Sequence, residues 1–341
     1  MIFIDNEGIN DPSINLAIEE HALRNFDYEH NYLLFYINEP SIIIGRNQNT
    51  LEEINHEYVK EHDIHVVRRL SGGGAVYHDL GNLNFSFITN YDTKSLHNFK
   101  KFTDPVAHVL QGLGVNAELS GRNDLQVDGR KISGNAQYST VKRMFSHGTL
   151  LFDSDLSEVS NALNVKMSKI QSKGHKSVRS RVANISEFLD SPMTIGEFRE
   201  TVLKGLTAEL PEFKTIHLTD DDWEAVYKLR EERYGNWDWN FGRSPKFNLQ
   251  RTRRFPIGEI DLRLDVEKGR IESIKIFGDF FGFAPVAEIE EKLTGVRYEP
   301  ADLQKALQDV DVQRYFGSLP KEEFMELLYG ADEGEGIRIP E

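Results

Sequence analysis

The sequence predicts a mixed fold of β-hairpins and amphipathic helices, divided between a larger N-terminal domain and a smaller C-terminal one. Three observations lead there: a strand, glycine loop and strand over residues 66–88, a second hairpin within residues 121–137, and a change to short alternating strands beyond Phe247. A chain of 341 residues suits about two domains, and 39% hydrophobic with 28% charged residues is ordinary for a globular protein in water. No apolar run approaches the ~18 residues that span a bilayer. The first stretch, MIFIDNEGINDPS, carries acids where a signal peptide needs basic residues, so a cytoplasmic protein with no membrane partner is expected. A net charge of −15 argues against nucleic acid, which needs a basic field. With no cysteine, disulfides, thiolate metal sites and any acyl-cysteine intermediate are excluded.

Taken in order, residues 11–26 open on Asp-Pro-Ser and place Ile14, Ala17, Ile18, Ala22 and Leu23 at helical spacing, which predicts a core-facing helix. Residues 32–37 and 41–45 are apolar runs around Asn-Glu-Pro and read as a hairpin, followed by a polar turn and a helix over 50–61. His56, His62 and His65 lack carboxylates at ligand spacing, so no protein-bound metal is expected. Then comes VVRRLSGGGAVYHDLGNLNFSFI. Three adjacent glycines let backbone N–H groups approach a ligand closely, and Arg68 and Arg69 before them supply forked cationic donors suited to phosphate. His78, Asp79, Asn82 and Asn84 add polar groups. The loop is neither GxxxxGK[ST] nor a Rossmann turn, and Gly112-Leu-Gly114 follows a helical run, where it reads as a C-cap.

A helix over 98–111 precedes GRNDLQVDGRKISGNAQ, a hairpin about Asp128-Gly129. Counting outward pairs Val127 with Arg130, Gln126 with Lys131, Leu125 with Ile132 and Asp124 with Ser133. Asp124, Gln126, Lys131 and Ser133 then share one face. By spacing alone Lys131 is a solvated strand lysine. Residues 143–152 form a strand carrying His147. Between Val159 and Ser186 there is no acid but six Lys or Arg, and residues 169–181 suit either a linker or a cover over an anion. Helices follow over 194–210 and, after an acidic Asp220-Asp-Asp cap, 223–233. The aromatic, Gly- and Pro-containing NWDWNFGRSPKF segment marks the domain boundary, with Gly242 and Pro245 as its hinge. Beyond it lie a hairpin over 257–277, helices over 286–293, 300–309 and 321–328, and a polar tail.

RRLSGGGAVYHDLGNLNFSF, GRNDLQVDGRKISGNAQ, HGTLLF, KGHKSVRSRVANI and WDWNFG, in this order, strongly resemble bacterial lipoate–protein ligase A over nearly the whole chain. That resemblance implies an α+β, biotin-ligase-like catalytic domain related to class II aminoacyl-tRNA synthetases over residues 1–245, and a small α+β accessory domain over 246–341. It implies activation of lipoate by ATP to lipoyl-AMP with release of pyrophosphate, then transfer to a lysine of lipoyl-carrier domains in 2-oxoacid dehydrogenase E2 subunits or the glycine cleavage H protein. Mg²⁺ would come with the ATP phosphates. Matched motif to motif, Arg69, Ser71, Gly72, Gly73, Gly74, Ala75, Val76, Tyr77, His78, Asn82, Asn123, Asp124 and His147 would line the ATP or adenylate site. Lys131 would touch both the lipoyl carbonyl and the α-phosphate, and Tyr36 and Val76 would border the acyl chain. Tyr36 stands where the family often has tryptophan. Lys173, Arg179 and Arg181 would cover the adenylate. A transferase of the same superfamily works through an acyl-cysteine, which this chain lacks, and the GRGRxGRxW-type loop of biotin ligases is absent.

Overall fold

The computed structural model describes residues 1–92, 94–96, 98–121, 123–163, 181–208, 210, 212–242 and 247–329. Two compact units emerge: one comprises residues 1–44, 51–69 and 75–240, the other residues 45–50, 70–74 and 241–341. The glycine loop therefore clusters with the C-terminal unit rather than with the strands on either side of it.

In the first unit, strand β1 (Ile2–Ile4) leads to helix α1 (Pro12–Asn25), whose N-cap Asp11 accepts from the Ser13 N–H, with Pro12 at the first helical position. Strands β2 (Tyr32–Ile37) and β3 (Ser41–Ile44) follow, then the short helices α2 (Thr50–Glu53) and α3 (His56–Glu61). The expected single helix over 50–61 is two, because Asn55 caps the second by accepting from the Tyr58 N–H. Strands β4 (His65–Arg68), β5 (Val76–His78) and β6 (Asn82–Asn90), helix α4 (Lys100–Gly112) and strands β7 (Glu118–Ser120), β8 (Asp124–Val127), β9 (Arg130–Ser139) and β10 (Arg143–Leu151) come next. Helices α5 (Leu156–Ala162) and α6 (Ile195–Thr207), strand β11 (Lys214–Ile216) and helices α7 (Asp220–Leu229) and α8 (Trp237–Asn240) complete it. The acidic triplet, expected as a cap, is the first turn of α7: the N-cap is Thr219, which forms a capping box with Asp222.

Eight strands form one mixed sheet in the order β11-β1-β2-β6-β10-β9-β8-β7, and three form a small sheet in the order β4-β3-β5. Two expectations change here. The apolar runs of β2 and β3 are not a hairpin: they enter different sheets, since β2 pairs with β6 while β3 pairs with β4 and β5. The run after the glycine loop is likewise two strands in two sheets.

The large sheet has an apolar face and a polar face. Leu33, Phe35, Leu83, Phe85, Met144 and Leu150 pack with Phe102, Val106 and Leu110 of α4 and with Phe198 and Val202 of α6. Alternation turns Leu34, Tyr36, Asn84, Ser86 and His147 the other way, toward α1. That helix buries Asn15, Glu19, Glu20 and His21 as well as its apolar residues.

The C-terminal unit holds an antiparallel sheet of β12 (Leu249–Phe255), β13 (Gly258–Glu267) and β14 (Arg270–Gly278), with helices α9 (Ala287–Leu293), α10 (Pro300–Ala306), α11 (Gln313–Phe316) and α12 (Lys321–Tyr329). Its own core gathers Ile260, Leu262, Ile276, Phe280, Phe316 and Phe324. Strand β12 was not foreseen, because QRTRR lacks an apolar alternation. The architecture as a whole is α+β. Among the described residues no helix is long and apolar enough to cross a membrane.

Candidate functional site

Lys131 lies on β9, and its seat differs from the simple hairpin count. The turn is where it was expected, with Asp128 and Gly129 both at positive φ (51° and 74°), the geometry of a two-residue hairpin. Pairing begins as predicted, Val127 opposite Arg130 and Gln126 opposite Lys131, but the register then shifts so that Leu125 opposes Ser133 and Asp124 opposes Gly134. Ile132 is the extra residue of a β-bulge, which re-aims the side chains after it. Ser133 is fully buried, not on the Lys131 face, and its hydroxyl accepts from Asn135 Nδ2. The Lys131 ammonium extends along Gly134 to Asp124, 2.9 Å from Oδ1. A Cβ on residue 134 would stand 2.8 Å from that Nζ, so the glycine leaves the channel the lysine occupies. Behind it, the Lys131 carbonyl accepts from the Ala183 N–H at 2.9 Å, tying Lys131 to the chain just past the basic stretch.

Asn123, before the hairpin, clamps the same strand: its amide donates to the Asn135 carbonyl at 2.6 Å and its own carbonyl accepts from the Asn135 N–H. Opposite Asn135 is Gly148 on β10, where a Cβ would be only 2.1 Å from Asn135 Oδ1. That strand carries His147, whose Nδ1 meets Glu19 Oε1 of α1 at 2.9 Å with both side chains buried. On the same face, Asn84 donates to the Tyr36 carbonyl, Asn82 donates to Asn84, and Tyr36 opposes Asn84 across the β2–β6 pair. Burial, and next the Glu19 charge, hold the Tyr36 phenol well above its usual range, so it is a neutral O–H. Arg69 is buried too, donating from Nη1 to the Ile43 carbonyl. Burial lowers its pKa to about 10, which leaves it cationic at neutral pH. His78 is pushed down to about 3, first by burial and then by the Arg69 and His147 charges, and is therefore neutral. Ala75 and Val76 are half-buried, and Val76 and Tyr77 pair with Ile43 and Ile42 in the small sheet.

Arg68 does not join Arg69. Its guanidinium donates to the carbonyls of Trp239 and Asn240, while its own N–H and carbonyl are bonded by the Asn240 and Trp239 side chains. The arginine expected to offer charge to a ligand instead holds the aromatic WDWN segment. In the C-terminal unit, the glycines of the loop have distinct reasons to be glycine. A Cβ on Gly72 would fall 2.4 Å from the Phe280 carbonyl oxygen, and Gly73 has φ +92°. The Ser71 carbonyl accepts from the Arg46 N–H. Lys173 and Arg179 of the expected cover, and Pro245 of the expected hinge, lie outside the described residues; Arg181 is half-buried beside Val182, which bridges to Lys131.

The profile of the lipoyl protein ligase A/B catalytic domain matches residues 11–207, and that of the bacterial lipoate protein ligase C-terminus matches residues 244–328. The chain belongs to the lipoyl protein ligase family, and it is a ligase. It is similar to the lipoate-protein ligase LplJ of Bacillus subtilis, 61% identical over 334 residues, covering 96% of this chain and 100% of that one. Among solved structures it is similar to a bipartite lipoate protein ligase of Thermoplasma acidophilum, described with its E2 lipoyl domain (32% identity, TM-score 0.63, 72% of this chain and 97% of that chain). It is also similar to a lipoate-protein ligase A bound with ATP (30% identity, TM-score 0.59, 71% and 96%).

Reading the sequence of this ligase missed Glu19, Asn38 and Asn135. For Glu19 a signal existed: it stands four residues after Asn15 and three before Ala22, on a helix whose pattern is core-facing, and a carboxylate there needs a buried partner.

Proposed function

We propose that this ligase joins lipoate to carrier proteins in two steps, with Lys131 as the group common to both. Lipoate's carboxylate attacks the α-phosphate of ATP, supplied as its Mg²⁺ complex, forming a mixed anhydride with AMP and releasing pyrophosphate. The amine of a carrier lysine then adds to the acyl carbonyl, and AMP leaves. Neither step needs a protein nucleophile, because the carboxylate and the amine are the nucleophiles. What the protein must supply is position and countercharge. The observation that carries this reading is the seat of Lys131: an ammonium on a bulged strand, one-third exposed, held by Asp124 beside a glycine that keeps its path open. A compact cation there offsets the charge that grows on phosphate in the first step and on the carbonyl oxygen in the second.

Around it, Arg69 contributes buried positive charge, while Tyr36, His78, Asn82, Asn123, Asp124 and His147 supply polar contacts to the adenylate. Val76 and Tyr36 would border the acyl chain. Ser71, Gly72, Gly73 and Gly74 are proposed for phosphate by composition, with Ala75 and Tyr77 beside adenosine, and Lys173, Arg179 and Arg181 as the cover. We assign residues 1–245 to catalysis and 246–341 to an accessory role, and place the enzyme in the cytoplasm. The carriers are lipoyl domains of 2-oxoacid dehydrogenase E2 subunits or of the glycine cleavage H protein, a reading supported by the archaeal relative described with its E2 lipoyl domain.

The test is exchange of labelled pyrophosphate into ATP, with and without lipoate. Exchange that requires lipoate is expected, since only reversible adenylate formation returns pyrophosphate to ATP. A protein that transfers lipoyl groups to a carrier domain without such exchange would overturn the two-step reading.

A further inference from the structure

A row of buried amides runs through the first unit and ends on His78. Asn6 Nδ2 donates to Asn15 Oδ1 at 2.9 Å, Asn15 Nδ2 donates to Asn38 Oδ1 at 2.9 Å, and Asn38 Nδ2 lies 3.0 Å from His78 Nδ1. Asn15 and Asn38 are fully buried, and His78 is only 4% exposed. The direction of the row is set by the backbone. The Ile9 carbonyl, which can only accept, takes a hydrogen from the amide of Asn6 and another from that of Asn15. Each of these amides therefore has its nitrogen toward Ile9, and the oxygen of Asn15 is left for Asn6. Asn15's second hydrogen points to Asn38 and demands an oxygen there. Asn38 must then turn its nitrogen to His78, and a nitrogen that donates requires an unprotonated Nδ1. The ring proton is on Nε2.

That Nε2 is buried and has no hydrogen-bond partner among the described residues. A buried donor without an acceptor is costly, and such a group persists where something else is to meet it. After burial, the Arg69 guanidinium, and next His147, which is bonded to Glu19, disfavour an imidazolium at His78.

We propose that Asn15 and Asn38 are positioning residues that hold His78 in the Nε2–H tautomer, so that an uncharged buried donor meets an oxygen of the acyl carboxylate or the phosphate. The inference rests on the adenylate-forming function proposed above. It assigns His78 the role of a donor rather than a base: with Nδ1 committed to Asn38, the ring has no free lone pair with which to take a proton from lipoate or from the carrier amine.

The tautomer is read without any ligand, from the ring ¹⁵N resonances of His78 in the intact protein at neutral pH. An unprotonated Nδ1 and a protonated Nε2 are expected; a proton on Nδ1, a tautomer mixture or an imidazolium would overturn the proposal. The second arm is Asn38→Asp, which keeps the shape but replaces the donor with an acceptor. It is expected to draw the proton to Nδ1 and leave Nε2 bare, and a variant in which Nε2 keeps its proton would show that Asn38 does not set the ring. Calorimetric titration then compares the two proteins with lipoate, with MgATP and with a non-hydrolysable lipoyl-sulfamoyl adenylate. The variant should bind at least one of them on the order of 10–100-fold more weakly, as a ligand oxygen comes to face a bare nitrogen. Weakening for lipoate alone assigns the donor to the carboxylate, and for MgATP alone to the phosphate. Equal affinities for all three probes, with the proton on Nδ1, would overturn the proposal. If the wild-type protein bound none of them, the adenylation reading would fail while the tautomer result stood.

Discussion

Two acid–base pairs in the first unit show opposite uses of charge. Lys131 with Asp124 is a partly solvated pair, with side chains 33% and 23% exposed, on a hairpin at the end of the sheet. His147 with Glu19 is a buried pair, 9% and 3% exposed, between the polar face of the sheet and α1. The first spans seven residues of one hairpin; the second joins groups 128 residues apart. A solvated pair contributes about 0–1 kcal/mol and can open at little cost. Removing one member of a buried pair strands the other without water, at about 3–5 kcal/mol where the groups are charged. In the proposed mechanism Lys131 exchanges Asp124 for a substrate oxygen, whereas the buried Glu19 and His147 stay fixed.

The widest separation between the two is expected in stability. Glu19→Ala should lower the free energy of unfolding by about 2–3 kcal/mol, the cost of removing a buried hydrogen-bond partner, and Lys131→Ala by less than about 1 kcal/mol, both from urea denaturation. Equal losses would remove the distinction.

Next comes the rate. Lys131→Ala should slow adenylate formation and transfer from supplied lipoyl-adenylate by about 10²–10³, the usual loss when a donor to a developing oxyanion is removed. Lys131→Arg should be nearly as damaging, since a planar fork cannot replace a compact ammonium in the channel over Gly134. Near-normal rates in both half-reactions would take Lys131 out of the mechanism, and loss of the first alone would confine it to adenylation.

The smallest effect sharpens the picture of that channel. Gly134 has no positive φ, so Gly134→Ala is conformationally permitted, and its new methyl would press on the end of Lys131, 2.8 Å from Nζ, with Asp124 Oδ1 at an ordinary 3.9 Å. The melting temperature should hold while the adenylation rate falls roughly tenfold through a misplaced ammonium. A normal rate would show that the lysine reaches its working position by another path.

Much of this was legible in the residues. Asp128-Gly129 marks a two-residue turn because few other pairs accept positive φ twice, and the structure turns there. Asp11-Pro12-Ser13 announces α1, the acidic Asp220-Asp-Asp announces α7, and the ordered motifs identify the ligase family. Each of these is settled by the backbone preferences of a few adjacent residues, or by motifs that can be read without knowing the fold. The bulge at Ile132 was not legible. It depends on how Leu125 and Ile132 enter the apolar core while Lys131 stays partly solvated, a packing decision that no local propensity encodes. Nor could the sequence divide Arg68 from Arg69. As neighbours they are chemically identical; one is bonded to carbonyls 171 and 172 residues away, the other to a carbonyl 26 residues away. Glu19 and His147, and the asparagines that lead to His78, are likewise joined only when α1 lies on the sheet. Adjacent residues were enough to place the main turns and helix starts and to give the family, but not to foresee β12 or the separation of β2 from β3 into two sheets. Tertiary structure alone decided which polar groups are buried and which partners they find there, because that depends on removing water with residues far along the chain.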